Sequence, residues 1–164
     1  MPPAAFRPKV RQIAPGIYRA VTQFTRSAKV AGVQYAAMFL ITPQGGVLRA
    51  ELVDRQTVEQ TREFLEALTQ AALQHRSTRI LIHVRSSRPI FRVEEYRAST
   101  YLQEIAQRPW LKVALVSARV EVRSAHEYVE VLAKQQGANL RSFADDAAAM
   151  AWLQAAVAQS QEKR

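Results

Sequence analysis

The segment of this sequence with the clearest potential for chemistry is HVRSSRPIFR, at residues 83–92. It combines three arginines with two serines: Arg85, Ser86, Ser87, Arg88 and Arg92. Guanidinium groups and free backbone N–H groups at a helix start bind anions, and the same arginines could hold a phosphate placed on either serine. These residues are therefore a candidate phosphorylation or anion-binding loop. The alternative is an ordinary solvated loop in which Ser87 serves as a turn or cap residue.

The three histidines, His75, His83 and His126, lack the H-x-x-x-H type of spacing that a metal site uses. The sequence has no cysteine, which excludes disulfides, thiolate metal sites and a cysteine nucleophile. His83 lies inside an apolar run, where a neutral, hydrogen-bonded structural histidine is the favoured interpretation. We predict His75 at a helix C-terminus, His126 on an exposed helix surface, and neither a metal nor a cofactor.

Two adjacent carboxylates, Glu94 and Glu95, could serve acid–base catalysis. Near a helix N-terminus, however, acidic residues favour the helix dipole, and Arg92 and Arg97 are close enough for ordinary pairing. No nucleophile elbow, P-loop or dinucleotide-binding fingerprint occurs. We therefore predict no catalytic residues and no enzyme activity, and assign His83, Glu94 and Glu95 to a candidate partner surface.

The positive charge is concentrated in the first third of the chain. The 164 residues carry a net charge of +9, and seven basic residues precede the first carboxylate, Glu51. Such a segment could bind a polyanion, although its basic residues are spread out and no nucleic-acid motif accompanies them, so nucleic acid is not the expected partner.

No run has the length of a membrane span, and no apolar core of a signal peptide follows the N-terminal basic residues. These patterns predict a cytoplasmic protein.

The elements that position these residues follow from periodicity and turn signals. Two apolar runs around TPQGG predict a β-hairpin, and GIYRAVTQF predicts an earlier strand. Helical spacing begins after Thr57, with Gln60 completing a capping box. Short β-branched runs at 79–84 and 111–117 predict buried strands. Further helices are predicted at about 92–107, from near Ser124 to Gly137, and after Asp145 or Asp146, the last preceded by the short strand NLRSF.

Strands that alternate with helices predict an α/β fold with a mixed, largely parallel sheet covered by about four helices. An N-terminal β-hairpin or β extension precedes it. We predict a basic, partly irregular extension with one strand at 1–29, the α/β domain at 30–158 and a polar tail at 159–164.

The segment RSFADDAAAMAWLQAA, which contains the end of the short strand and the last predicted helix, places one tryptophan among alanines. Its helical spacing predicts that Ala148, Ala151 or Trp152, and Ala155 share one face. Small residues allow the helix to lie close to the sheet, and a buried Trp152 would supply most of the area that fastens it.

From about Gly46 to Leu153 the chain resembles the SpoIIAA-like, or STAS-like, family, which includes the anti-sigma-factor antagonists and many small bacterial proteins. The resemblance rests on VLRAELVDRQTVEQTREFLEAL, RILIHVRSSRPIFRVEEY, WLKVALVS and LRSFADDAAAMAWL. It implies a STAS-like fold and a module that acts through surface contacts. In the antagonists a partner kinase phosphorylates a serine at a helix start, within an Asp-Ser-Ser-Gly-like signature. Ser86 and Ser87 match its two serines, whereas the aspartate and glycine are missing.

The expected function is thus a non-enzymatic regulatory or protein-interaction module that contacts an unknown protein partner through residues 85–92. A homodimer is also compatible with the sequence. The alternative is a carrier or sensor of a small apolar or anionic ligand in a cleft of the α/β domain. Tyr35, Met38 and Phe39 could belong to a core or line such a pocket, because periodicity does not separate the two. The third alternative is polyanion binding through the basic N-terminal segment.

Overall fold

A computed structural model describes residues 11–14, 17–21 and 38–155. The predicted boundary between residues 29 and 30 and the predicted tail at 159–164 lie outside these residues. In chain order the elements are β1 Arg11–Ala14, β2 Ile17–Val21, β3 Met38–Gln44, β4 Val47–Val53, α1 Val58–Gln74, β5 Arg79–Arg85, a 3₁₀ turn Val93–Tyr96, α2 Ala98–Ala106, β6 Lys112–Val116, α3 Val120–Gln136, β7 Leu140–Phe143 and α4 Asp146–Gln154.

The described strands form one sheet in which each strand lies beside its sequence neighbour, from β1 to β7. The pairings from β1 to β4 are antiparallel and those from β4 to β7 are parallel. The hairpin of β1 and β2 joins the sheet through β3, with Tyr18 opposite Ile41. The predicted α/β fold is confirmed, with a mixed sheet whose strands β4 to β7 are parallel, four described helices and an N-terminal β-hairpin. The predicted extension was expected to hold one strand, and the structure places two there, β1 and β2.

The two faces of the sheet carry different layers. On one face Ile80, Ile82 and Val84 of β5 join the main core with residues of α1, α2 and α3. On the other face Leu81 of β5 packs with Leu153 of α4 in a smaller core. This division follows from the two-residue repeat of a strand, which sends successive side chains to opposite faces. Both faces of β5 are covered, which explains its nearly continuous apolar sequence.

Two predicted helix ends are confirmed in detail. Thr57 caps α1, because its side chain accepts a hydrogen bond from the backbone N–H of Gln60 while the Gln60 side chain accepts from the backbone N–H of Thr57. Gly137 ends α3 with φ 75°, a left-handed conformation that glycine adopts without the steric cost of a Cβ.

The predicted helix at about 92–107 is interrupted. Arg97 has φ 62°, and it separates the 3₁₀ turn Val93–Tyr96 from α2. The break sends the side chains of the two pieces in independent directions, so that Val93 and Ala98 are both buried. Helix α3 also begins earlier than predicted, at Val120, since Val122 in its first turn belongs to the core.

The predicted burial of α4 is wrong by one position. Ala148, Ala151 and Ala155 are exposed, whereas Ala149 and Leu153, four residues apart, are fully buried against the sheet. Trp152 is half-buried and packs beside Phe143, with ring centroids 5.6 Å apart. Lys112 Nζ lies 5.1 Å from the Trp152 ring and donates hydrogen bonds to the carbonyls of Trp152 and Ala155. Asp145 is the N-cap, with its side chain accepting from Ala148 N–H.

Candidate functional site

A cavity of about 510 Å³ lies between the sheet and the helices α1, α2 and α3. Its volume falls within the usual range of small-molecule pockets, about 300–1,000 Å³. Most of its wall is apolar, with contributions from all three helices and four strands: Leu52, Phe64, Leu65, Leu68, Ala72, Ile80, Ile82, Val84, Ala98, Leu102, Ile105, Val113, Leu115, Val122, Val129 and Leu140. The arrangement is suited to an apolar molecule that replaces contact with water by contact with these side chains.

One end of this cavity contains a buried cation, Arg55, in the turn after β4. The residue is only 5% exposed. Its Nη1 donates a hydrogen bond to Thr61 Oγ1 at 3.3 Å, and its Nε has no hydrogen-bond partner among the described residues. Burial lowers the pKa of Arg55 to about 10, which still leaves the guanidinium protonated at neutral pH. The cavity therefore has a positive charge at this end that lacks full solvation.

Two neutral polar side chains, Tyr96 and His126, accompany Arg55 in the cavity wall. Burial raises the pKa of Tyr96 to about 12, with the Arg55 charge acting in the opposite direction. Burial, reinforced by Arg55, lowers the pKa of His126 to about 4. Both side chains are thus uncharged at neutral pH, and His126 Nδ1 is buried without a hydrogen-bond partner in the described part of the chain. The expected exposed position of His126 is wrong, because it lies on the face of α3 that is turned toward the sheet.

The other end of the cavity reaches the surface. Leu73, in the last turn of α1, is 63% exposed although it lines the cavity, and Glu104 and Gln107 near the end of α2 are also exposed lining residues. Helices α1 and α2 both end there, at the amino ends of the parallel strands, whereas Arg55 follows the carboxyl end of β4. The cavity consequently runs from an open, largely apolar end to a buried, charged end.

The predicted loop at residues 85–92 borders the charged end. Ser87 is 1% exposed; its Oγ accepts from the backbone N–H of Arg55 at 3.1 Å and donates to the Arg85 carbonyl at 2.8 Å. The backbone N–H of Arg88 donates to the Arg55 carbonyl at 3.0 Å. Ser86 is exposed and has a left-handed backbone, with φ 47°. The loop therefore fixes the main chain of Arg55 on both sides, and Ser86 presents the more accessible hydroxyl.

The three arginines of the loop do not share one partner. Arg85 pairs with Glu51 across the sheet at 3.1 Å, and Arg92 pairs with Glu95 at 3.6 Å. Arg88 is exposed. Glu94 accepts a hydrogen bond from Ser99 Oγ, and Arg62 donates to the carbonyl of Glu95. The two glutamates thus help to hold the 3₁₀ turn against α1 and α2, and their carboxylates are exposed at its surface.

His83 lies on the opposite face of the sheet, beneath the start of α4. Its Nδ1 is 3.0 Å from Asp146 Oδ1, while Arg49 pairs with Asp146 Oδ2 at 2.9 Å. Burial lowers the pKa of His83, and the Asp146 carboxylate acts in the opposite direction. Asp146 therefore connects the first turn of α4 to β4 and β5. This contact agrees with a structural role for His83.

Sequence reasoning did not select Arg55, Tyr96 or His126. Arg55 follows its strand in VLRAELVDRQT, among other polar residues, and no motif distinguishes it. Tyr96 directly follows Glu94 and Glu95, and the sequence assigns it no role. Phe39, one of the residues assigned to a core or a pocket, proves to be core: it packs edge-on against Phe64, with ring centroids 5.6 Å apart, and does not line the cavity. Of the other two, Tyr35 lies outside the described residues, and Met38 begins β3.

Comparison with known families gives a match to the SpoIIAA-like family model over residues 47–154. The chain belongs to the SpoIIAA-like family. The matched range runs from β4 to α4 and includes the whole cavity wall and the loop at 85–92 of this SpoIIAA-like protein. No match was found among curated proteins. Within the described ranges, no helix is both long enough and apolar enough to span a membrane, and no three histidines, aspartates or glutamates cluster as a metal site would require.

Proposed function

We propose that this SpoIIAA-like protein is a non-enzymatic binding module that takes a small apolar ligand into the cavity between the sheet and helices α1 to α3. The observation that carries the proposal is the cavity itself, about 510 Å³ in volume and lined mainly by apolar side chains. Protein interiors are otherwise close-packed, and a large internal space reduces stability. A bound apolar molecule would restore those contacts and stabilise the folded chain.

Filling the cavity is expected to abolish uptake of an apolar probe. Ala125 and Ala98 are buried lining residues, so Ala125→Phe or Ala98→Phe places a ring where the ligand would lie. With N-phenylnaphthylamine, a neutral fluorescent probe of apolar sites, we expect saturable binding to the wild type. Either variant should weaken that binding by more than about tenfold, since a probe of this size needs most of the pocket.

Ala151→Phe is the matched control for these variants, because Ala151 is exposed on α4, on the other face of the sheet. It should bind the probe like the wild type. Circular dichroism and thermal melting identify which of the two cavity variants folds. Wild-type affinity in a folded cavity variant, or no saturable binding by the wild type, would contradict the proposed function.

We also propose that the loop at 85–92 is the contact surface for a protein partner, which would make the module regulatory. Two features support this role. Phe91 is 56% exposed beside the exposed Arg88 and Arg92, which gives the loop an apolar centre and a basic rim. The loop is also hydrogen-bonded to the main chain of Arg55, so that a change at the charged end of the cavity has a direct route to this surface.

A photo-crosslinking amino acid at Phe91 is expected to join the protein to a specific partner in its native cells. Trp110 supplies the control position, because it is a similarly exposed aromatic residue outside the loop. The covalent crosslink to the partner should form from position 91 and not from position 110. Arg88→Glu should reduce the yield of the crosslink from position 91. Equal yields from both positions, with no effect of Arg88→Glu, would exclude the loop as the contact surface.

A further inference from the structure

We infer that the ligand is an amphipathic acid, an apolar chain with one anionic group, and that the anionic group pairs with Arg55 at the buried end of the cavity. This inference rests on the proposed function and specifies its ligand. The shared chemistry is a single carboxylate or phosphate on a hydrocarbon chain.

The first support is the incomplete pairing of Arg55. The residue is 95% removed from solvent, and no carboxylate of the described residues forms an ion pair with it. Its one side-chain hydrogen bond in that part of the chain goes to the neutral hydroxyl of Thr61. A buried cation is costly unless a counter-charge and hydrogen bonds compensate it. The Nε–H that lacks a partner is available for the oxygen of an acid.

The second support is the pair of neutral polar side chains that line the cavity together with Arg55. His126 Nδ1 is also buried without a partner in the described residues, and the Tyr96 side chain lines the same cavity. A neutral imidazole and a phenol can each donate one hydrogen bond to an anion. One fixed positive charge with two neutral donors suits a single negative charge. It does not suit a cation, which Arg55 would repel.

The third support is the direction of the cavity. From Arg55 the wall continues along apolar residues of α1 and α2, including Leu68 and Leu102, to the exposed Leu73. An acid bound head-first at Arg55 would lay its chain along this wall with its far end at the open mouth. The polar and apolar ends of such a ligand match the two ends of the cavity.

The experiment measures displacement of N-phenylnaphthylamine by three ligands with the same dodecyl chain: dodecanoate, dodecyl phosphate and dodecanol. We expect at least one of the two acids to bind the wild type at least about tenfold more tightly than the neutral alcohol, as a charge-assisted hydrogen bond implies. The acid that binds more tightly identifies the head group as carboxylate or phosphate. Shortening that acid by one methylene should weaken binding about fourfold, the equivalent of about 0.8 kcal/mol.

The decisive variant is Arg55→Met, which removes the charge and keeps a long apolar side chain. It should bind the acid no more tightly than the alcohol; Arg55→Gln is the second variant if the first does not fold. Arg123→Met is the matched control, because Arg123 is a partly buried arginine of α3 that does not line the cavity. It should retain the preference for the acid.

The results separate this inference from the proposed function. Equal affinity of the wild type for the acids and the alcohol would overturn the acid assignment and leave the apolar cavity intact. A preference for the acid that survives in folded Arg55 variants would overturn the role of Arg55. If neither the probe nor any of the three ligands binds, the proposed function fails first and the inference with it.

Discussion

Replacing Leu153 with alanine is expected to lower the free energy of unfolding by roughly 3 kcal/mol, within the range measured for buried leucines. Leu153 is fully buried in the smaller core, where it packs with Leu81 and Val116 on the α4 face of the sheet. The truncation removes apolar contacts and leaves a cavity, because α4 is held at both ends and cannot collapse into the space. Asp146 holds its start, and Lys112 holds its end through backbone carbonyls.

Trp152→Ala is the informative comparison, because Trp152 is the larger residue but is only half-buried. Its loss should cost less than that of Leu153, about 1–2 kcal/mol, through the contacts with Phe143 and the Lys112 ammonium. Thermal melting distinguishes the two, with a fall of roughly 6–12 °C expected for Leu153→Ala. A larger effect of Trp152→Ala than of Leu153→Ala would show that the tryptophan, and not the leucine, anchors α4.

The wrongly predicted buried face of α4 shows when the spacing of apolar residues does not determine which side of a helix is buried. Helices α1 and α3 alternate apolar and charged residues, so that only one face can be buried. In DAAAMAWLQ nearly every residue is small or apolar, and several faces satisfy the same rule. With periodicity uninformative, the prediction of the buried residue rested on side-chain size and selected Trp152. In the structure Leu153 is the residue that packs against the sheet. By contrast the N-cap was predicted to within one residue, as Asp145 or Asp146, because capping depends on local backbone groups that the sequence specifies.

The strands β2 to β7 and their succession along the chain were predictable because their apolar runs are bounded by turns or helix caps, whereas β1 was not predicted. The cavity was not predictable, because its volume depends on how far α1, α2 and α3 stand from the sheet. The sequence records that Leu68 and Leu102 are apolar, and it does not record whether they touch a neighbouring side chain or a ligand. The helix break at Arg97 was also not predictable, because no residue type there marks a left-handed backbone in the way that Gly137 does at the end of α3.

The candidate loop at 85–92 was found from the sequence because its arginines and serines are conspicuous. Arg55, the cavity residue to which the loop is hydrogen-bonded, was not found. Ser87 was selected for its hydroxyl, and the structure directs that hydroxyl to the backbone of Arg55. This contact links the surface that sequence reasoning could identify to the buried charge that it could not. The regulatory function proposed above requires such a link between the proposed ligand site and the proposed partner surface.

Lowering the pH from about 6.5 to about 4 is expected to reduce the free energy of unfolding by about 3 kcal/mol through His126 alone. Burial and the Arg55 charge lower the pKa of His126 from 6.5 to about 4 in the folded chain. Between these two values the unfolded chain binds a proton at this residue and the folded chain does not. The contribution of His126 to the free energy of unfolding is therefore fully present above pH 6.5, and it declines as the pH falls toward 4. Below pH 4 both states are protonated and the decline ends.

Urea denaturation of the wild type and His126→Gln at a series of pH values isolates this contribution, because glutamine is polar and does not titrate. The other ionisable groups are the same in both proteins, including His83, whose pKa burial also lowers, so the difference between the two curves belongs to His126. We expect this difference to change by about 3 kcal/mol across the window and to be constant above it. A titration of the His126 ring by NMR should give a midpoint near 4. A midpoint near 6.5, with parallel stability curves, would mean that the imidazole is solvated and does not belong to the buried end of the cavity.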